Sequence, residues 1–533
     1  MTPYTWQFPY SWPRKPVLAA NVVSTTQPLA AQAGLRMLLA GGNAVDAILA
    51  TAITLTLVEP VSNGIGSDLF AILWDGRELH GINASGRSPE AWTPEYFAGK
   101  YPDLKTMPQR GWDTVTVPGC VSGWRMLSER FGKLPFEKLF EPAIHYGRNG
   151  FLVSPTIARQ WEIQAKELKS QPGYAAAFMP AGRPPHAGEI FSFPDHAATL
   201  EKIAATKGDV FYRGEVAEKL EAHSAANGGV MKAMDLAAHK SDWTAPMEVG
   251  YRGYTVHELP PNGQGIVALI ALGILEHFDV ASHPVDSADS LHLQIEAVKI
   301  AFADARRYVA DLDWMDIKSH ALLDKNYLKT RAALINMKKA QDFGHGTPPK
   351  GGTVYLTAAD ASGMMISLIQ SNYMGFGSGV VVPGTGVSLQ NRGACFVRTA
   401  GHPNEVAPRK RPYQTIIPGF VTKDGKPVMS FGVMGGTMQP QGHVQVMVRI
   451  ADYNQNPQTA SDGPRFRVVQ GMEVNVEGGL APSVLEELTR RGHQLAELKE
   501  GYMDFGSAQL IWKLDGGYLA ASDPRRDGQA VGY

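Results

Sequence analysis

Gly351-Gly352-Thr353-Val354-Tyr355 stands where the texture of the chain changes abruptly. Before it, residues 125 to 340 are mostly helical by periodicity; after it, apolar residues fall into short β-like runs. Val354-Tyr355-Leu356 and Met364–Gln370 read as strands around a turn at Ala361-Ser362-Gly363, and Val380-Val381-Val382 as another. Phe420–Met429 reads as a hairpin turning at Asp424-Gly425. The polar, glycine-rich residues Gln341 to Gly352 lead into this junction. They are either a linker between domains or a segment whose scission makes Thr353 a new amino terminus. A threonine hydroxyl is a poor nucleophile near neutral pH unless a base lies beside it. An N-terminal Thr353 carries that base as its own α-amine, which titrates near ~7.7–8. Gly352 has no Cβ, so its carbonyl lies open to the Thr353 hydroxyl for an N-to-O acyl shift. Alone, Gly-Thr at the start of a strand is commonplace, and its meaning depends on the rest of the chain.

Working outward, Val17–Val23 reads as a strand, and Thr26-Gln27-Pro28 opens a helix that Gly41-Gly42 stops. Asn43-Ala44-Val45-Asp46 opens a second helix running to Val58; it is apolar nearly all round and is expected to be buried. Phe70–Trp74 and Glu78–Ile82 form a predicted hairpin about Asp75-Gly76. The helix predicted over Asp289–Ala310 sets Leu291, Ile295, Val298, Ala301 and Phe302 on one face. His292 and Glu296 lie one turn apart on it, but with no third ligand apparent they read as a surface pair.

The bulk properties narrow the function. A length of 533 residues suggests more than one domain, and 44% hydrophobic with 19% charged residues is a globular composition. A formal net charge of −1 provides no field for nucleic acid or an anionic membrane, so the expected partner is a small molecule. The apolar stretches Ala47–Val58 and Ile266–Leu275 are too short to span a bilayer. Met1 to Pro16 is aromatic and proline-rich without an apolar leader core, which makes the cytoplasm the expected location. Trp6, Tyr10 and Trp12 in that arm are expected to pack on the body or on a partner subunit. The two cysteines, Cys120 and Cys395, fit neither a disulfide framework nor a zinc spacing. Gly64-Ile65-Gly66 lacks the third glycine of a dinucleotide loop. No cofactor or metal is called for.

Many short segments, in order, resemble the γ-glutamyltransferase family. The opening is Ser24-Thr25-Thr26-Gln27-Pro28-Leu29-Ala30 followed by Gly41-Gly42-Asn43-Ala44-Val45-Asp46-Ala47. Val58-Glu59-Pro60, Ser62-Asn63-Gly64-Ile65-Gly66, Val117-Pro118-Gly119, Phe211-Tyr212-Arg213-Gly214 and Pro260-Pro261-Asn262-Gly263-Gln264-Gly265 continue it. After the junction come Phe376-Gly377-Ser378-Gly379, Pro383-Gly384-Thr385-Gly386, Lys410-Arg411-Pro412, Gly435-Gly436 and Pro464-Arg465-Phe466. The resemblance implies an α/β (α+β) fold: a four-layer αββα sandwich of the N-terminal-nucleophile hydrolases, autoprocessed into two subunits. The large subunit would be residues 1–352 and the small one 353–533, with cleavage between Gly352 and Thr353. It further implies Thr353 as nucleophile, Ser371 as a supporting hydroxyl, and Gly435 and Gly436 as oxyanion-hole residues. Glycine suits that last role, since backbone amides must approach the oxyanion closely.

The departures from the family concern the substrate. The family's carboxylate-binding arginine corresponds to a segment where Arg87 is displaced by two residues, and its paired serines fall at Gln414 and Thr415. Its asparagine after the nucleophile corresponds to Tyr373. The acid that takes the substrate ammonium corresponds to Cys395, within Gln390-Asn391-Arg392-Gly393-Ala394-Cys395-Phe396. A thiol cannot replace a carboxylate as partner of a buried ammonium. The expected substrate-binding set is therefore Arg87, Tyr373, Asn391, Arg392, Gln414 and Thr415, with arginine gripping a carboxylate on an acyl group that lacks an α-amine. The expected function is an autoprocessed threonine amidohydrolase acting on a small carboxylate-bearing amide through an acyl-threonine. The pattern looks closer to the glutathione-hydrolase-like and oxamate-amidohydrolase branches than to transpeptidases. The alternatives are a true γ-glutamyl hydrolase or transferase acting on glutathione and a catalytically silent binding protein on the same fold; a homo-oligomer is possible in each case.

Overall fold

The computed structural model describes residues 13–343, 352–498 and 504–533. Two seven-stranded antiparallel sheets face each other. Sheet I runs, edge to edge, Val17–Ala19, Gly517–Ser522, Ser507–Leu514, Lys426–Met434, Gly419–Lys423, Tyr254–Glu258, Met247–Tyr251. Sheet II runs Gln529–Gly532, Val22–Thr25, Gly352–Ala359, Met365–Tyr373, Asp68–Trp74, Leu79–Ala84, Asp242–Thr244. Helices Pro28–Leu39 and Ala44–Val58 cover sheet II, and Gly265–Leu275, Ala288–Tyr308 and Met438–Ala451 cover sheet I, which completes the αββα sandwich. Between the sheets lies a thin core that includes Phe70, Tyr355, Ile369, Phe420 and Ile511. Residues on both sides of the 352/353 junction supply strands to both sheets, so the length of the chain does not resolve into one sheet per half.

Strand alternation sets the direction of the residues at the junction. Val354, Leu356 and Ala358 pack into the core against the helices, whereas Tyr355 faces the opposite sheet and Thr357 reaches Ser430 there, at 2.6 Å. Thr353 shares their side of the strand and so points toward the inter-sheet edge. The helix Ala44–Val58 is buried at every position. It starts where Asn43 and Asp46 form a reciprocal capping box, as the residues at 43–46 suggest.

Three expectations need correction. Val17–Val23 is not one strand: Val17–Ala19 joins sheet I and Val22–Thr25 joins sheet II. The chain changes sheets at Ala20-Asn21, a step that continuous β-propensity conceals. Strands Asp242–Thr244, Met247–Tyr251 and Tyr254–Glu258 interrupt the region that reads as helical. The pair His292 and Glu296 is buried, not superficial. His493 joins them, with His292 Nδ1 2.8 Å from His493 Nε2. The Lys299 ammonium donates to Glu296 at 2.8 Å and sits 3.4 Å from His493 Nδ1, so an internal cation already occupies this group. The arm holding Trp6, Tyr10 and Trp12, and most of the glycine-rich segment before the junction, lie outside the described residues.

Candidate active site

Gly352 pairs with Tyr373 and Val354 with Gln370, so the ladder is irregular around Thr353 and the opposing strand carries one extra residue. Such an irregularity re-aims a side chain. Here it brings Thr353 Oγ1 and Ser371 Oγ to 3.0 Å, both fully buried. From sheet I, strand Lys426–Met434 ends and the chain turns through Gly435 and Gly436 into helix Met438–Ala451. Both glycines have positive φ, +132° and +59°, and a Cβ on Gly435 would press on the Gly506 backbone at 3.1 Å. Gly436 O accepts from Gln264 Nε2 at 2.8 Å. Among the described residues, neither glycine amide N–H donates to a backbone acceptor. Two amides without partners at the positive end of a helix favour an anion.

Around the two hydroxyls lies a polar shell. Ser371 Oγ accepts from the Tyr373 N–H at 2.8 Å and from Arg392 Nη2 at 3.2 Å. Arg392 Nη1 donates to Thr415 Oγ1 at 2.6 Å, its Nε stands 4.0 Å from Asp68 Oδ2, and its Cζ lies 4.6 Å over the Tyr373 ring. Tyr373 adopts φ +76°, an uncommon conformation for a residue with a side chain. Gln414 Nε2 donates to Asp68 Oδ2 at 3.0 Å. Burial pushes the Asp68 carboxyl up to about 6 against the opposing pull of Arg392. Burial raises the Cys395 thiol, while the neighbouring Arg392 and Tyr373 pull it the other way.

Of the sequence-expected residues, Thr353, Ser371, Tyr373, Arg392, Gln414 and Thr415 therefore converge. Asn391 supports from behind: its side chain accepts from the Met374 N–H at 3.1 Å and donates to Gln109 O at 2.8 Å. Arg87 makes no hydrogen bond to this group; it pairs with Asp311 at 2.9 Å, which also accepts from the Arg411 N–H. Two residues of the cluster were missed. Asp68 sits directly across from Ser371 on the neighbouring strand, a long-range register that no local motif reveals. Gln439 Nε2 approaches Thr353 Oγ1 at 3.5 Å while its Oε1 accepts from the Ile417 N–H at 3.0 Å. Its place three residues after Gly436 is the only signal in the sequence.

Known proteins support the same grouping. The Bacillus subtilis glutathione hydrolase-like YwrD proenzyme is 36% identical, covering 96% of this chain and 98% of that protein. The oxamate amidohydrolase proenzyme of Klebsiella pneumoniae is 34% identical, covering 95% and 97%. Among solved structures, a cephalosporin acylase from Bacillus halodurans superposes with a TM-score of 0.95 at 44% identity, covering 100% of this chain and 99% of that one. The sequence model of γ-glutamyltranspeptidase matches residues 30–533. The chain belongs to the γ-glutamyltranspeptidase family and is an enzyme of the N-terminal-nucleophile type.

Proposed function

We propose that the chain is a precursor that cuts itself between Gly352 and Thr353, into a large part of residues 1–352 and a small part of 353–533, and that the mature form hydrolyses an amide of a small carboxylate-bearing acid. In the first step Thr353 Oγ attacks the Gly352 carbonyl, and the C–N bond breaks to leave an ester and a free Thr353 amine; water then releases the large part. In turnover the same hydroxyl gives its proton to the α-amine and attacks the substrate amide carbon. The oxyanion accepts from the Gly435 and Gly436 amides, and the leaving amine takes the proton. Water hydrolyses the acyl-Thr353 ester and releases the acid. The observation that carries this reading is the 3.0 Å pair of Thr353 and Ser371 on a bulged ladder, reached by Gln439 from the helix start whose two glycine amides donate to no backbone acceptor among the described residues. The proenzyme names of two relatives support the self-cleavage.

Denaturing electrophoresis of the purified protein should give fragments of 352 residues and the remaining 181 of the 533. Thr353→Ala should leave one uncut chain without amidase activity. An intact wild-type chain, or a first residue other than threonine on the small fragment, refutes the proposal. A second reading, a γ-glutamyl hydrolase, is favoured by the name of the Bacillus subtilis relative. The Cys395 thiol in place of an acid argues against it, because an α-ammonium bound there would lack a counter-charge. Tighter turnover of γ-glutamyl anilide than of the anilide lacking the α-amine would favour that second reading.

A further inference from the structure

The glycine turn beside Thr353 is held by a residue from the other side of the proposed cut. Gln264 stands at the foot of helix Gly265–Leu275, before the junction, whereas Thr415 and Gly436 follow it. The loop that carries it is registered against residues 412–415. There the Gln414 N–H donates to Asn262 O and the Gln264 N–H to Gln414 O, both at 2.9 Å. The Gln264 side chain is fully buried, and each of its polar atoms is used. Its Nε2 donates to Gly436 O at 2.8 Å and to Thr415 O at 2.7 Å, and its Oε1 accepts from the Tyr413 hydroxyl at 3.2 Å. Two donors and one acceptor on a single planar group are what a carboxamide supplies and a carboxylate cannot.

In a trans peptide the carbonyl and the following N–H point in opposite directions, so holding one aims the other. Gly435 O accepts from the Met438 N–H at 3.0 Å, a bond within the turn, and that aims the Gly436 N–H. Gly436 O accepts from the Gln439 N–H at 3.2 Å and from Gln264 at 2.8 Å, and that aims the Thr437 N–H. Gly436 at φ +59° followed by Thr437 at φ −72°, ψ −7° is a left-handed then right-handed pair. This alternation gathers successive amides into one anion-binding hollow. Like the two glycine amides, the Thr437 N–H donates to no backbone acceptor among the described residues. We infer that Gln264 is a positioning residue for the reaction: contributed by the large part, it holds the Gly436–Thr437 peptide so that the Thr437 amide stands with the glycine amides toward the oxyanion. This inference rests on the amidohydrolase reading and adds that both products build the oxyanion site.

The test uses the matured full chain with glutaric monoanilide as substrate, glutarate as its planar product, and a boronic acid of the same chain. Boron accepts an electron pair from Thr353 Oγ, the hydroxyl proton passes to the α-amine, and the adduct is a tetrahedral anion like that of turnover. Rates are expressed per exposed Thr353 amine, so a variant that matures slowly still reports its turnover. Gln264→Met should lower kcat about 10- to 100-fold and leave KM within about threefold, a loss confined to the transition state. Its boronate affinity should fall by a similar factor while glutarate binds within about threefold of wild type; a merely structural loss would weaken both. Gln264→Asn, with the same donors on a shorter arm, should fall between. For Gln264→Glu, the ratio of its kcat to the wild-type value should rise as pH falls, because only the protonated carboxyl can donate to either carbonyl. Wild-type kcat in Gln264→Met, or parallel losses of boronate and glutarate affinity, overturn the role of Gln264 alone. A wild-type chain that neither cuts itself nor turns over the anilide overturns the amidohydrolase reading and this inference with it.

Discussion

Asp68 and Arg392 are both fully buried, and a carboxylate in such a place is tolerated only with a partner. Burial nonetheless holds Asp68 up at about 6, so its proton comes and goes within the working range of an enzyme. Below that pH Asp68 is neutral, and Arg392, which donates to Ser371, loses its counter-ion. The Thr353 amine must also be neutral to act as base, and free amines of that type titrate near ~7.7–8. We therefore expect kcat of the matured enzyme to rise with pH in two steps, the lower near 6. Asp68→Asn should abolish the lower step and reduce the plateau about tenfold; a pH–rate profile that keeps its lower limb in the variant refutes this role. Stability has the opposite sign. A carboxyl with a raised folded-state pKa contributes stability below the ordinary carboxylate range, and that contribution is lost as pH rises through about 6. The reactive threonine, its serine and the glycine pair are legible in the sequence because each belongs to a compact motif. Asp68 is not, because its meaning comes from standing across from Ser371, hundreds of residues away in sequence. Arg87 misleads for the converse reason: its motif neighbours suggest a substrate contact, but Asp311, remote in sequence, claims its charge.

Among the elements, the helix Ala44–Val58 shows how local chemistry and long-range contacts share one task. Asn43 Oδ1 accepts from the Val45 and Asp46 N–H groups at 3.0 and 3.1 Å, and Asp46 returns the bond to the Asn43 N–H at 2.9 Å. These are readable from four consecutive residues. The Ala44 N–H is taken by Asp360, from the turn after strand Gly352–Ala359, at 2.7 Å, which no reading of residues 43–46 reveals. Asn43→Ala should cost about 1–2 kcal/mol, measured as a lower urea midpoint with unchanged slope. The helix is remote from Thr353 in function, so self-cleavage should continue in that variant; a folded variant that fails to mature would tie the cap to chemistry instead. The same limit explains the misread strand at residues 17–23: propensity marks extended backbone but not the sheet it enters.

At the scale of the molecule, the proposed cut falls inside a sheet to which both products contribute neighbouring strands. In sheet II, Gly352–Ala359 and Met365–Tyr373 lie between Val22–Thr25 and Asp68–Trp74, which precede the cut. In sheet I, Val17–Ala19 pairs with Gly517–Ser522, and Tyr254–Glu258 pairs with Gly419–Lys423. Every such pairing joins a residue before the junction to one after it, and neither product retains a complete sheet or a closed core of its own. Breaking one peptide bond therefore removes chain continuity without exposing an interface that could have existed alone. The two fragments should co-elute on size exclusion in native buffer and stay together at nanomolar dilution, because separation would require unfolding both sheets. In urea they should part, and fragments expressed separately and then mixed should give little active enzyme, since neither half folds far enough to present its edges to the other. Fragments that exchange freely with labelled copies under native conditions would contradict the interleaved sheets and, with them, the claim that one cooperative fold presents Thr353 to the glycine turn.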